Sequence, residues 1–436
     1  MESGSSYSKR PMPSTASHEL QREYSLCQWH HFPIQPKGPW MTKSHDAIII
    51  CVLVSVLTAH PSLSSISART SESNGFEPVF QKGMTYRHQP FPYDSSFSNE
   101  SLERMAATNT EYVAITVWWL QENITATQIY RKTNWTATDK ALAIAIAKAH
   151  ELGINVMLKP MVDPEDVYTQ FRGEIPSSPE WFKSYMAFIS SYAAFAQENN
   201  IDLLCIGCEF RNTERDEASW RQVIDEVKKR YTGPLTYAAT FDSFQSITWW
   251  DRLDYIGIDA YFPLTSKNHP SLDELKEAWN RMANALENWA STVNKPIIFT
   301  EIGCRSGDGN NIEPGNWIAP LRPDLKEQLD SYSAVFQTLW NRPWFYGLYW
   351  WIWETNPSAG GLNDTDFTPQ NKPAETLLTN WYSQQRHIEQ TTDFPRLIVY
   401  LGLPAAILTC AVLLLTRKFT NRDNETIKAN ASDTEN

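Results

Sequence analysis

The sequence predicts an α/β protein whose central part, residues 70–390, folds as a (β/α)8 (TIM) barrel. Three observations carry this. Eight short runs are rich in Val, Ile and aromatic residues, and helical patterns lie between most of them. Parallel neighbours need crossover helices, and a count of eight favours closure into a barrel. No G-x-G-x-x-G or G-x-x-x-x-G-K-[ST] loop follows any run, which argues against an open doubly wound sheet, the alternative fold.

The first four strands are expected at Val79–Thr85, Tyr112–Trp118, Ile154–Lys159 and Ile201–Cys208. The last four are expected at Pro234–Ala239, Asp254–Asp259, Pro296–Glu301 and Tyr346–Ile352. Apolar residues at helical spacing mark Ala137–Leu152, which Gly153 stops. Pro179–Asn199 carries Pro179 and Glu180 in its first turn, as a helix start prefers. Further helices are expected at Glu214–Arg230, Leu272–Val293, Asp324–Asn341 and Ala374–Tyr382.

Composition narrows the function. The 436 residues carry 38 Lys and Arg against 50 Asp and Glu, a net charge of -12, so no nucleic-acid partner is expected. Hydrophobic residues at 42% and charged residues at 20% exclude wholesale disorder. The 18 tryptophans call for a large core or a surface that uses flat rings, such as a sugar-binding cleft. Six scattered cysteines make no disulfide framework. Cys205, Cys208 and Cys304 are an odd set within the barrel, so at least one is expected to lack a partner in the same chain.

The ends read as membrane signals. Ala47–Ala59 is too short to span the hydrocarbon core, which takes roughly 20 residues, and fits the apolar region of a signal peptide within an N-terminal segment 1–69. A start at Met41 would complete an ordinary signal, and an uncleaved anchor is the alternative. The uncharged run 397–416 is long enough to cross, and Arg417, Lys418 and Arg422 behind it place the tail 417–436 in the cytoplasm. The expectation is a single-pass membrane protein with its barrel lumenal or extracellular, where the triplets at Asn99, Asn123, Asn134 and Asn363 would accept N-glycans.

In such a barrel, function sits at the C-terminal ends of the strands. Those ends carry Glu209 on strand four and Glu301 on strand seven, with aromatics on strands two, six and eight. Two facing carboxylates suit glycoside hydrolysis: one protonates the leaving oxygen and the other attacks the anomeric carbon. The plainer reading pairs each Glu with a nearby Arg, Arg211 or Arg305. Trp249, Trp250 and the tryptophans of strand eight could serve cleft or core, and His88 substrate or structure. Asp242 and Asp259 match no cation-binding loop, and Cys205 and Cys208 lack further ligands for zinc, so no metal and no cofactor is expected.

The segments FQKGMTY from Phe80, VWW from Val117, VMLKPMVD from Val156 and IGCEF from Ile206 resemble glycoside hydrolase family 113, the barrel-type β-1,4-mannanases. So do YIGIDAYFPL from Tyr255, IFTEIGCRS from Ile298 and YWWIWETNP from Tyr349. The resemblance runs from residue 80 to 357. It implies that Glu209 is the acid/base and Glu301 the nucleophile of a retaining enzyme acting on β-1,4-mannan or manno-oligosaccharides. It also implies that Tyr261 hydrogen-bonds Glu301 and holds it as an ionised carboxylate, and that Trp351 floors the sugar subsite at the cleavage point. Trp118, Lys159 and Asp163 would line the cleft. One departure stands out: many relatives have Asn or Thr before the acid/base, contacting the sugar 2-hydroxyl, and this chain has Cys208. A β-glucan-directed glycosidase and a catalytically silent glycan-binding or adhesion module are the alternatives.

Overall fold

The computed structural model describes residues 77–388. The apolar runs 47–59 and 397–416, with the membrane expectations built on them, lie outside the described residues. Among the described residues no helix is long and apolar enough to cross a membrane.

Eight parallel strands close into a barrel in sequence order. They are β1 (Gln81–Arg87), β2 (Tyr112–Gln121), β3 (Asn155–Pro164), β4 (Leu203–Cys208), β5 (Leu235–Thr240), β6 (Ile256–Asp259), β7 (Ile297–Ile302) and β8 (Phe345–Glu354). Among the described residues seven α-helices accompany them: α1 (Ser96–Ala106), α2 (Asp139–Glu151), α3 (Pro179–Glu198), α4 (Glu217–Lys228), α5 (Leu272–Val293), α6 (Leu325–Leu339) and α7 (Pro373–Tyr382). Helix starts follow local chemistry. Ser178 caps α3 ahead of Pro179, and Ser271 and Glu274 form a reciprocal capping box on α5.

Two expectations need correction. Strands β2, β3 and β8 run on to Gln121, Pro164 and Glu354, so Asp163 belongs to a strand rather than to the loop past it. Helix α1 was not expected, because its buried side includes Ser98 and Ser101 beside Leu102 and Met105 and shows little apolar periodicity.

Alternation along the strands divides the core in two. One cluster, with Ala114, Met157, Leu203, Ala238, Ile298 and Tyr349, fills the barrel interior; the larger one lies between strands and helices. The interior leaves no room beside the Tyr349 ring at β1: a Cβ on Gly83 would come within 2.5 Å of it. Trp118 on β2 packs against the interior cluster. Lys159 shares the parity of Met157 and Met161, and Trp351 that of Tyr349. The other tryptophans of β8 face the helices: Trp350 stacks on Tyr332 of α6 at 3.6 Å, and Trp353 donates its indole N–H to Ser101 of α1. Trp249 and Trp250 are also buried, with Trp249 stacked 5.0 Å from Trp220, so they belong to the core and not to the cleft.

Candidate active site

The ends of β4, β6 and β7 converge at the mouth. On β4 the pairing with β5 shifts register between Cys205 and Cys208, and Glu209 follows in the left-handed region at φ 58°. That conformation is uncommon for a residue with a Cβ and redirects the chain just past the strand. The Glu209 N–H still donates to Ala238 on β5 at 2.7 Å. On β7, Glu301 aligns with Asp259 of β6 across another register shift.

Glu301 is held from two sides. Lys159 Nζ donates to its Oε1 at 2.5 Å, and Tyr261 Oη donates to its Oε2 at 2.9 Å. Lys159 is fully buried and also reaches Asp259 at 3.3 Å, while Thr300 donates to Asp259 at 2.7 Å. Burial alone would discharge Lys159, but the charges of Asp259, Glu301 and neighbouring groups outweigh it and hold the ammonium well above its usual range. Burial, then the Glu301 charge, push Asp259 up to about 6 against the pull of Lys159.

Glu209 sits differently. Its carboxylate accepts no hydrogen bond among the described residues, and its ion partner, Arg172, stands off at 3.6 Å. Burial, then the charge of Asp259, raise it to about 8, with Arg172 opposing. Arg172 is anchored on Asp163 through Nε at 2.6 Å and Nη2 at 3.1 Å, and its Nη1 lies 3.1 Å from Cys208 Sγ. Cys208 in turn donates to Asp259 at 3.4 Å. Burial raises the Cys208 thiol well above its usual range, so it stays neutral.

The arginines adjacent in sequence are not the partners of the two glutamates. Arg211 pairs with Asp242, and Arg305 binds backbone carbonyls of the loop after β7 and of Thr365. Cys205, Cys208 and Cys304 are all free and buried. His88 lies beside Trp118, its ring 6.2 Å away. Trp351 is half-buried on the interior face of β8.

Among the described residues two groupings offer metal-ligand atoms. Cys208, Asp259 and Glu301 place theirs within 4.8 Å of one another, but the cation bonded to both carboxylates is Lys159. His269, Asp308 and Asp324 form the second, on loops after β6 and β7, where His269 lies 3.1 Å from Asp308.

The structure thus brings Glu209, Glu301, Tyr261, Lys159 and Asp163 into one linked cluster, with Trp118 and Trp351 on the inward faces of their strands. Sequence reasoning missed Arg172, which lies in a three-residue helical turn of the long loop after β3. It gave Asp259 no place beside the carboxylates, although Asp259 ends an expected strand.

The family model described as Glycoside Hydrolase Family 113 matches residues 84–372. A solved complex of a GH113 β-1,4-mannanase is 28% identical with a TM-score of 0.64, covering 70% of this chain and 100% of its own. The GH113 β-mannanase AaManA from Alicyclobacillus acidocaldarius, in complex with ManMIm, is 28% identical with a TM-score of 0.63, covering 70% of this chain and 97% of its own. No curated protein matches the sequence.

Proposed function

The chain belongs to glycoside hydrolase family 113 and is a glycoside hydrolase; on that premise we propose that it cleaves β-1,4-mannan or manno-oligosaccharides with retention. The observation that carries the mechanism is the unequal support of Glu209 and Glu301 at one barrel mouth. A raised pKa suits Glu209 to carry the proton that the leaving oxygen takes. Hydrogen bonds from an ammonium and a phenol suit Glu301 to act as an anion. Glu301 then attacks the anomeric carbon and forms a glycosyl-enzyme as Glu209 protonates the departing sugar. In the second step Glu209, now a carboxylate, takes a proton from water, which displaces Glu301 and restores the anomeric configuration.

Lys159 and Tyr261 orient the nucleophile, and Arg172, fixed by Asp163, stands beside the acid/base. Trp351 and Trp118 supply flat apolar surface to the sugar at the cleavage point. The choice of mannan rests on the solved mannanases that the chain resembles.

The test is hydrolysis of mannohexaose and of a β-glucan panel by the enzyme and by Glu301→Ala, with products separated by chromatography and the first-formed anomer read by NMR. The expected result is cleavage of mannohexaose with a retained anomer, reduced by about 10⁴-fold or more in the variant. Cleavage of β-glucans alone would overturn the substrate, and an inverted product would overturn the mechanism.

A further inference from the structure

Tyr168 lies in the loop after β3 and Trp317 in the loop after β7. Both are exposed, at 61% and 47%, yet their ring centroids are 5.1 Å apart with the planes tilted by 41°. In a closed barrel of order β1 to β8, β3 and β7 are diametrically opposite. Their loops rise from opposite sides of the mouth, so this contact spans it.

The loops' attachments place the span. A Cβ on Gly173, in the β3 loop, would lie 3.0 Å from the Glu209 carbonyl oxygen; one on Gly315, in the β7 loop, would lie 3.5 Å from Tyr261 Cβ. The aromatic pair therefore bridges the side of the mouth that holds Glu209 and Tyr261. Neither ring contributes to the buried core, and both supporting loops are pinned. Asp166 accepts from the Tyr168 N–H and the Thr169 hydroxyl, and Arg305 donates to the carbonyls of Asn316 and Ala319 on either side of Trp317. A flat apolar surface fixed before a ligand arrives loses little conformational freedom on binding.

We propose that Tyr168 and Trp317 form an aromatic platform for the leaving-group sugars of a β-linked oligosaccharide. The proposal rests on the hydrolase mechanism above: Glu209 protonates the leaving oxygen, so the departing sugars extend on the bridged side. The C–H face of a pyranose would lie on the rings, with its hydroxyls toward water.

The experiment compares the enzyme with Trp317→Ala, Tyr168→Ala and the double variant. The substrates are mannohexaose and an aryl β-mannobioside, whose leaving group carries no sugar. The expected result is a loss of about tenfold or more in kcat/KM on mannohexaose, mostly in KM, with the aryl substrate changed by less than about twofold. The two single losses should not multiply in the double variant, because one platform is removed either way. Equal losses on both substrates, or none on mannohexaose, would overturn the proposal. If the parent hydrolyses neither substrate, the hydrolase reading fails. Calorimetric binding of mannohexaose then decides the platform: binding about tenfold weaker in Trp317→Ala supports it, and equal or absent binding overturns it.

Discussion

The ends of β4 and β7 present the same residue type to the same mouth and treat it in opposite ways. Glu301 accepts one charge-assisted and one phenolic hydrogen bond, and the lysine that supplies the first is itself locked by Asp259. Glu209 is set among buried groups with Arg172 at 3.6 Å and with its pKa raised by burial. Residue identity therefore does not assign the chemistry. In the proposed mechanism the neighbours do: Lys159 from β3, Tyr261 from the β6 end and Arg172 from the β3 loop.

After the loss of Glu301 itself, the contrast is broken most severely at Glu209. Glu209→Ala should lower kcat on mannohexaose by about 10²–10⁴-fold, the usual contribution of general acid catalysis. On a dinitrophenyl β-mannoside, which leaves without protonation, formation of the glycosyl-enzyme should persist, and azide should rescue turnover as a β-mannosyl azide. The sign of the pH effect follows from the role. The acid works while protonated, so wild-type kcat/KM should decline as pH rises through about 8, and this limb should vanish in the variant. Equal losses on both substrates would remove Glu209 from the acid role.

The next effect tests the other side. Lys159→Met removes a buried cation from between Asp259 and Glu301 and leaves two carboxylates without it. Breaking a buried ion cluster in this way costs about 3–5 kcal/mol of stability. Glu301 would keep only the Tyr261 hydrogen bond, so kcat should fall by about 10²-fold. Lys159→Met/Asp259→Asn, which also removes the Asp259 charge, should regain stability measured by thermal unfolding without regaining activity. Recovery of both would make Lys159 a packing residue only.

These supports differ in how visible they are before folding. The barrel was legible because each strand is a short β-branched or aromatic run and most helices carry apolar spacing; α1 was not, because part of its buried side is serine. Glu209 and Glu301 were legible because both end strands, and Tyr261 and Lys159 because their segments resemble the family's. Arg172 was not. It sits in an irregular loop, and its link to Asp163, Cys208 and Glu209 exists only once β3 and β4 lie side by side. For the same reason the plainer reading, which paired each glutamate with the arginine near it in sequence, does not hold: Arg211 and Arg305 turn away to Asp242 and to backbone carbonyls.

Cys208 gives the smallest effect and the finest comparison of the two ends. It precedes Glu209, but its thiol donates to Asp259, on the side of Glu301, the proposed nucleophile. It is fully buried and neutral, so it offers the site a weak donor where an amide could offer a strong one. A hydrogen bond to the sugar 2-hydroxyl strengthens toward the transition state and contributes up to several kcal/mol in these reactions. Cys208→Asn should therefore raise kcat on mannohexaose by about tenfold with little change in KM, the signature of an interaction made mainly in the transition state. A substrate lacking the 2-hydroxyl separates the causes. If the gain comes from that hydroxyl, the 2-deoxy substrate should show none. If the gain persists there, the amide acts instead through Arg172 and Asp259, the two groups that Cys208 touches. A loss of activity on both substrates would mean that the thiol is matched to this cluster, so that a larger polar side chain displaces Arg172 from Glu209.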